Sequence, residues 1–470
     1  MTGHARFLPG AAAIGMALFL AATPGVITYD GMVQYRQALA GRYDDWHPPI
    51  MAVLWSLLGR ARLSGSAPML AVQLGLYWAG LGLLAGALAR RGAMRSAAAV
   101  LAGGLFPIVT DWMGCVLKDC QLIGALVAAT GIVGWYRLGG RRMPLWATGL
   151  AGGLVAYAWL LRANAVFAVA PLALGLCGWG ARRPAARVAL LGLAVMAGIG
   201  VSGPINHRLL GAERSHVERT LPLFDMAGIA HRAGLATLPG LTSTLWARAE
   251  AVRCYTPFYW DPLGDTSKCG AIATTLAFDR DEDAPPIERQ WLEMIAAHPA
   301  AWAAHRLAHL NDNLRVAVPY SERLATAPPV SLSNPHQIGE PARAFTAWLA
   351  RLAAGVAATP AGVPAVWWLL AGGLWWTLAA TPRQPPRDVG LALAASATLM
   401  TASFAIVSIA SDLRYHLWLM AATMLAAAML GACEDVDRRR LRATIAATTG
   451  ACLLSVLLRS GLLPVAAIPA

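Results

Sequence analysis

The stretch ITYDGMVQYRQALAGRYDDWHPP, residues 27–49, directly follows the first long apolar segment of the chain, residues 8–26. It contains three acids, one histidine, two arginines and four aromatic side chains. A carboxylate such as Asp30, placed one turn beyond an apolar helix, is costly at a membrane unless it has a partner or a function. We therefore expect the other polar clusters of the chain to meet this stretch on one side of a membrane.

The composition indicates a polytopic membrane protein. The chain has 470 residues, of which 57% are hydrophobic and 13% are charged, whereas soluble domains are about 25% charged. The formal net charge is +13, but most basic residues fall in short loops between apolar segments. Membrane topology and anionic lipids explain such charges better than nucleic acid does, so we expect membrane lipids and no nucleic acid as partners.

The apolar segments predict an all-α fold with about eleven transmembrane helices, because one span takes about 20 apolar residues. The predicted spans are 8–28, 68–89, 96–113, 120–136, 143–161, 164–180, 188–205, 361–380, 388–410, 414–432 and 443–464. Residues 50–60 and 344–358 are too short or too polar to span and predict interfacial helices. The first span could be a signal peptide, but we expect a retained helix, because cleavage near Ala21 would leave Asp30 on a free terminus.

The arginines predict the topology. With the N-terminus in the cytoplasm, every cytoplasmic loop is rich in arginine, as the positive-inside rule requires. These loops are 89–95, 137–142, 181–187, 381–388 and 434–442. The chain then divides into an N-terminal transmembrane module (1–205), one large periplasmic loop (206–360) and C-terminal transmembrane helices (361–470).

This topology collects charged side chains on the outer side of the membrane. Loop residues are often polar, and arginines at helix ends often snorkel. However, Asp111, Asp119 and Asp412 stand at span ends where no topological rule requires acids. The outer set is Asp30, His47, Asp111, Lys118, Asp119, Arg162, Asn164, Asp412, Arg414 and His416.

The outer loop contains a helical pattern over residues 286–318 and two cysteines. His305 and His309 of this pattern lie one turn apart and could bind a metal, but without a third ligand at a suitable spacing we favour packing or lipid-phosphate contacts. Cys254 and Cys269 predict a disulfide, since this loop faces an oxidising compartment if the protein is bacterial; the alternative is two reduced, buried thiols. Cys115 and Cys120 could also pair, or could lie on one helix with their sulfurs apart.

These motifs resemble those of the GT-C glycosyltransferases, multispan enzymes that use polyprenyl-phosphate-linked sugars. The protein mannosyltransferases and the aminoarabinose transferases of lipid A belong to this superfamily. The resemblance covers residues 1–205 and 361–432, and the middle loop matches loosely through HPAAWAAHRLAH (298–309). Its motifs are the acid after the first span, DWHPP (45–49), TDWMGCVLKD (110–119), LRAN (161–164) and SDLRYHLW (411–418).

The resemblance implies a role for each of these residues. Asp30 is the expected general base for an acceptor hydroxyl, and Asp111 or Asp119 matches the second acid, with the choice open. Lys118, Arg162 and Arg414 are candidate partners of the donor phosphate, because lysine and arginine bind phosphate well. The expected substrate-binding set is His47, Lys118, Arg162, Asn164, Arg306, Asp412, Arg414, Tyr415 and His416.

Three questions stay open in the sequence. His47 either caps the helix after Pro48 and Pro49 or touches a substrate. Asp412 and Arg414 form either a local ion pair or part of the site. Some relatives bind a divalent metal through such acids and others do not, so a metal (Mg or Mn) stays possible.

The predicted function is sugar transfer from a polyprenyl-phosphate donor to a glycan, lipid or protein acceptor on the outer face of a bacterial inner membrane. One rival is a transporter or flippase for a lipid-linked sugar, and another is an O-antigen ligase or polymerase. Transporters place charges near the membrane midplane, whereas the predicted spans here are nearly free of charge. The early acid at position 30 favours a GT-C enzyme over a ligase.

Overall fold

The structure is a computed structural model that describes residues 6–178, 184–265, 269–278, 285–318, 325–339, 341 and 343–460. Within these ranges the fold is all-helical, and extended pairing is limited to two isolated bridges, Val26 with Cys115 and Tyr259 with Ala410. The helices are α1 (Phe7–Ala22), α2 (Tyr29–Ala40), α3 (Ile50–Arg60), α4 (Ala67–Arg90), α5 (Met94–Gly104), α6 (Pro107–Met113), α7 (Lys118–Arg137), α8 (Leu145–Leu160), α9 (Val166–Cys177), α10 (Pro184–Pro204), α11 (Thr220–Ala233), α12 (Ser243–Ala251), α13 (Asp261–Gly264), α14 (Gly270–Ala273), α15 (Ile287–Ala297), α16 (Pro299–Leu314), α17 (Ala344–Ala357), α18 (Pro364–Ala380), α19 (Pro385–Val407), α20 (Leu417–Leu430) and α21 (Arg438–Arg459).

The chain is a multi-pass membrane protein. Among the described residues, six helical segments are long and apolar enough to cross a membrane, or seven if the bent pair α5 and α6 counts as one span. Other predicted spans coincide with shorter helices: α1, α8, α9 and α18. The count of eleven therefore stays a prediction. Both predicted interfacial segments are helical, as α3 and α17.

Three predicted helices have different bounds in the structure. The first was expected to reach residue 28 but ends at Ala22, because Pro24 has no N–H to continue a helix and Gly25 has a φ of 95°. The predicted span 96–113 consists of α5 and α6 with a 53° bend between them, where Pro107 begins the second helix. The predicted helix over 286–318 breaks at His298, so His298 precedes α16 instead of sharing a helix with His305.

The chain divides into two compact units. The first comprises residues 1–212, 321–401 and 413–454, and the second comprises residues 213–320, 402–412 and 455–470. Helix α17, which falls inside the predicted outer-loop domain 206–360, belongs to the first unit. The domain boundaries stay a prediction.

Helices α4 and α7 form the centre of the first unit. Glycines allow their backbones to touch: a Cβ on Gly80 would lie 2.4 Å from the carbonyl oxygen of Val127, and one on Gly131 would lie 2.5 Å from that of Gly80. Small residues permit such close packing between membrane helices. The contact fixes the position of the N-terminus of α7, where Lys118 and Asp119 lie.

Buried glutamines connect this helix pair to the polar loops. Gln73 of α4 donates to the carbonyl oxygens of Met113 and Cys115, at 2.7 and 2.8 Å. Gln121 of α7 donates to Gln73 Oε1 at 3.3 Å. The loop held in this way pairs with Val26, whose N–H donates to Gly114 O at 3.0 Å. The chain before Asp30 and the chain before Lys118 are therefore held together.

The segment 325–332 is attached to the same loops. The Trp112 indole donates to Ala325 O at 3.3 Å, and the Ala327 N–H donates to Asp111 Oδ2 at 2.9 Å. At its other end, the Ile27 N–H donates to Ser331 Oγ at 3.0 Å. This segment therefore helps to fix the chain that precedes Asp30.

The second unit is built around Asp225 of α11. This buried carboxylate accepts hydrogen bonds from the indoles of Trp291 and Trp302, at 2.9 and 3.0 Å, and from His305 Nε2 at 3.0 Å, and it pairs with Arg306. His305 Nδ1 lies 2.7 Å from the Tyr255 hydroxyl. Both ring nitrogens of His305 are thus engaged, which supports packing over metal binding for this histidine.

The disulfide predicted for this unit is present. Cys254 and Cys269 are bonded, with their Cα atoms 5.8 Å apart. Cys115 and Cys120 are free and buried instead of paired with each other, and the Cys120 thiol donates to Trp112 O at 3.0 Å.

Candidate active site

Asp30 lies in the first turn of α2, where unpaired backbone N–H groups favour a negative charge. Its Oδ2 pairs with Arg414 Nη1 at 3.2 Å, and its Oδ1 lies 3.9 Å from His47 Nε2. The side chain keeps 20% of its surface exposed. Burial raises the pKa of Asp30, but the positive charges of Arg414 and Lys118 outweigh it and hold the pKa well below its usual range. Asp30 is therefore a carboxylate at physiological pH.

His47 is buried beside Lys118, with its Nδ1 2.7 Å from the lysine Nζ. It does not cap a helix, because α3 has Pro49 at its N-cap position and no side chain caps it. Burial and the adjacent Lys118 lower the pKa of His47 to about 3. The imidazole is therefore neutral.

Asp119 is the second carboxylate of the group. It forms a short hydrogen bond with Arg162 through its Oδ1, and Arg162 Nε donates to Asn164 Oδ1 at 3.1 Å. The other oxygen, Asp119 Oδ2, is buried and has no hydrogen-bond partner within the described part of the chain. A buried oxygen in that condition is a candidate to receive a ligand donor.

Asp111 has a different environment from Asp119. Its carboxylate accepts the Ala327 N–H and borders a small apolar cavity of about 20 Å³. The cavity is lined by side chains such as Leu18, Leu74, Tyr77, Trp78, Phe345 and Leu349. Of the two acids between which the sequence left the choice open, Asp119 is the one that pairs with Arg162.

Tyr415 lies between the two arginines. The guanidinium of Arg162 is 4.3 Å from the centre of its ring, and that of Arg414 is 5.3 Å away. The negative face of an aromatic ring stabilises a nearby cation, so Tyr415 helps to hold two like charges close together. His416, at the end of the same short turn, is buried.

The cationic cluster, as we call Asp30, His47, Lys118, Asp119, Arg162 and Arg414, has an excess of positive charge. Three cations face two carboxylates, and the imidazole is neutral. Such a group at the ends of apolar helices can bind an anion like a phosphate, with arginine supplying bidentate contacts.

Arg306 and Asp412 belong to the second unit. Arg306 pairs with Asp225 and donates to Ser408 O at 2.7 Å. These contacts give Arg306 a structural role within that unit. Substrate binding by Arg306 and by Asp412 stays a prediction.

A divalent metal fits the cationic cluster poorly. Magnesium and manganese prefer oxygen ligands, but each carboxylate here already pairs with an arginine. Within the described ranges, no group of three histidine, cysteine or acidic side chains could hold a metal ion. We derive no step through a metal.

The glutamines that position these loops were not predicted from the sequence. Gln73 and Gln121 lie inside otherwise apolar spans and are fully buried. A buried side-chain amide in a membrane helix requires hydrogen-bond partners, so its position in the sequence was a usable signal. Asp225 was not predicted either. Its place as a lone acid in an apolar helix turn likewise indicates a buried polar group that requires hydrogen-bond partners.

Few known proteins match the chain. No protein-family model and no curated protein sequence matches the chain. Among solved structures, it is similar to the archaeal oligosaccharyltransferase AglB from Archaeoglobus fulgidus, in complex with an inhibitory peptide and a dolichol-phosphate. The two chains are 15% identical with a TM-score of 0.38, and the match covers 97% of this chain and 55% of that chain, so this chain spans about half the length of that protein.

Proposed function

We propose that this protein is a membrane glycosyltransferase of the GT-C type. It moves a sugar from a polyprenyl-phosphate donor to an acceptor on the outer side of a bacterial inner membrane, with its N-terminus in the cytoplasm. The acceptor is a glycan, a lipid or a protein. The motifs that resemble the protein mannosyltransferases and the aminoarabinose transferases support this proposal.

One observation carries the proposal: the cationic cluster groups three cations with only two carboxylates at the ends of apolar helices. The donor has a phosphate head on an apolar chain. A cationic site at the end of a membrane helix suits that head, since the chain can remain in lipid while the phosphate meets lysine and arginine.

The reaction forms a bond between an acceptor oxygen and the anomeric carbon and breaks the bond between that carbon and the donor phosphate oxygen. The phosphate leaves with the bonding electrons, and Lys118, Arg162 and Arg414 stabilise its charge. Asp30 takes the proton from the acceptor. Because its pKa is low, this transfer takes place late, after bond formation has made the proton acidic.

The test is a transfer assay with purified protein in lipid nanodiscs. The donors are synthetic undecaprenyl-phosphate sugars carrying labelled mannose, glucose or aminoarabinose, and the acceptors are supplied as bacterial inner-membrane extract. General-base catalysis contributes about 10²–10⁴-fold, so Asp30→Asn should reduce turnover by that factor. Asp44→Asn is the matched control, since Asp44 lies in the same stretch and accepts the Trp46 N–H.

A wild-type protein that transfers none of these sugars contradicts the proposal. Movement of the intact lipid-linked sugar across the membrane without transfer supports a flippase instead. Normal transfer by Asp30→Asn shows that another group is the base.

A further inference from the structure

We propose that His47 and Asp30 together bind the attacking group of the acceptor, and that their arrangement selects a hydroxyl. This inference rests on the proposed transferase function and names the chemistry of the acceptor. The proposal is carried by the 3.9 Å gap between His47 Nε2 and Asp30 Oδ1, which joins the first turn of α2 to the loop before α3.

The contact with Lys118 fixes which nitrogen of His47 carries the proton. A lysine ammonium has three N–H groups and no lone pair, so Nδ1, at 2.7 Å, accepts from Lys118. The neutral imidazole then carries its proton on Nε2. His47 is 6% exposed, and its Nε2 has no hydrogen-bond partner in the described residues.

A buried N–H without an acceptor is unfavourable, and the distance to Asp30 matches one oxygen that is hydrogen-bonded to both atoms. Because Nε2 is shielded from solvent, the entry of that oxygen requires neighbouring side chains to move. At 3.9 Å the two atoms are too far apart for a direct hydrogen bond. One oxygen can lie about 2.8 Å from each of them. That oxygen accepts a hydrogen bond from the His47 Nε2–H and donates one to Asp30 Oδ1.

The arrangement distinguishes between acceptor classes. The attacking atom of a sugar acceptor can be a hydroxyl oxygen, a phosphate oxygen or an amide nitrogen. A hydroxyl both donates and accepts, as this site requires. An ionised phosphate has no proton for Asp30 and is repelled by it, and an amide nitrogen has no lone pair for the His47 N–H. The site therefore selects an alcohol and produces an O-glycoside.

Two substitutions separate this role from simple support of Lys118. Glutamine places an amide N–H near the position of Nε2 and leaves Lys118 without its acceptor. Asparagine places its amide near Nδ1, so it can accept from Lys118 but has no donor at the Nε2 position. We expect His47→Gln to retain most of the transfer rate and His47→Asn to lose about 10- to 100-fold, the effect of one buried hydrogen bond.

The affinity for the donor lipid should rank the two variants in the opposite order from the transfer rate. Affinity for undecaprenyl phosphate, measured by quenching of tryptophan fluorescence, should be kept in His47→Asn and weakened in His47→Gln. If the ranking of transfer rates follows this affinity, His47 only supports Lys118 and the inference is wrong.

Two direct measurements complete the test. Histidine ¹⁵N spectra of the wild-type protein, with His47→Gln to assign the signal, should show Nε2 protonated and Nδ1 not. Mass spectrometry and mild acid treatment of the product should show an acid-stable O-glycoside, whereas a sugar phosphate would be cleaved. The opposite tautomer, or a product joined through phosphate or nitrogen, overturns the inference while leaving the transferase intact. No transfer by the wild-type protein overturns both.

Discussion

Asp30 and Asp225 are carboxylates with neighbours of the same kinds, but the protein occupies more of the hydrogen-bonding sites of Asp225 than of Asp30. Asp225 is fully buried, accepts hydrogen bonds from two indoles and one imidazole, and pairs with one guanidinium, all within its own unit. Asp30 pairs with one arginine, faces an imidazole across a 3.9 Å gap and stays partly exposed. A carboxylate whose hydrogen-bonding sites are all occupied by the protein stabilises the fold. One that still has a hydrogen-bonding site available can act on a ligand.

The largest effect expected from this contrast concerns stability. Asp225→Ala leaves Arg306 as a buried cation without its partner and removes the acceptor of two indoles. Breaking a buried ion pair in this way costs about 3–5 kcal/mol, so the free energy of unfolding of the second unit should fall by that amount. Asp30→Ala, the matched change in the cationic cluster, should cost less, because Asp30 pairs with one arginine and keeps 20% of its side-chain surface exposed. Chemical unfolding measured by tryptophan fluorescence compares the two, and equal losses would remove the distinction between them.

The next effect concerns the disulfide near Tyr255. Replacing Cys254 and Cys269 by serine should destabilise the second unit by about 3 kcal/mol, because the bond closes a loop of about 15 residues in the unfolded chain. Cys177→Ser, at an exposed free cysteine, is the control and should change little. Mass spectrometry of non-reduced peptides must first find the bond, and free thiols at both positions would disprove it.

The last effect is a dependence on pH, and it is the smallest when it is counted for one pH unit. Burial lowers the pKa of His309 to about 3, against about 6.5 when unfolded. Between these values the unfolded chain binds a proton that the folded unit does not, so stability falls as the pH falls through this window. His309 contributes about 1.4 kcal/mol per pH unit there. His309→Asn retains an amide donor for Pro257 O and should flatten the slope between pH 6 and 4, and an unchanged slope would assign the dependence to other groups.

The sequence predicted the members of the cationic cluster better than their pairing. Asp30, Lys118, Asp119, Arg162 and Arg414 were found because a charge at the end of an apolar span is costly, and that cost is visible in the sequence. The pairing depends on rotamers and on the loop between α6 and α7. Periodicity alone therefore could not show that Asp119 meets Arg162 while Asp111 accepts a backbone N–H.

The helix bounds show a similar limit. Apolar composition predicted a first span that continued to residue 28, but Pro24 and Gly25 end the helix earlier and let Val26 pair with the loop at 114–116. Composition over a window does not respond to a single proline. The loss of those residues from the helix allows a separate helix, α2, to begin at Tyr29 with Asp30 in its first turn.

The glycine contact between α4 and α7 makes the site sensitive to changes at a distance. Gly131 lies twelve residues beyond Asp119 in the same helix, which is about 18 Å along its axis. A methyl group there, or at Gly80, would meet backbone atoms that cannot yield and would force the two helices apart. Lys118 and Asp119 would then move relative to Gln73 and to the loop it holds. An alanine at either glycine should therefore disturb the cationic cluster as a change at a charged residue would, although neither glycine carries any chemistry of its own.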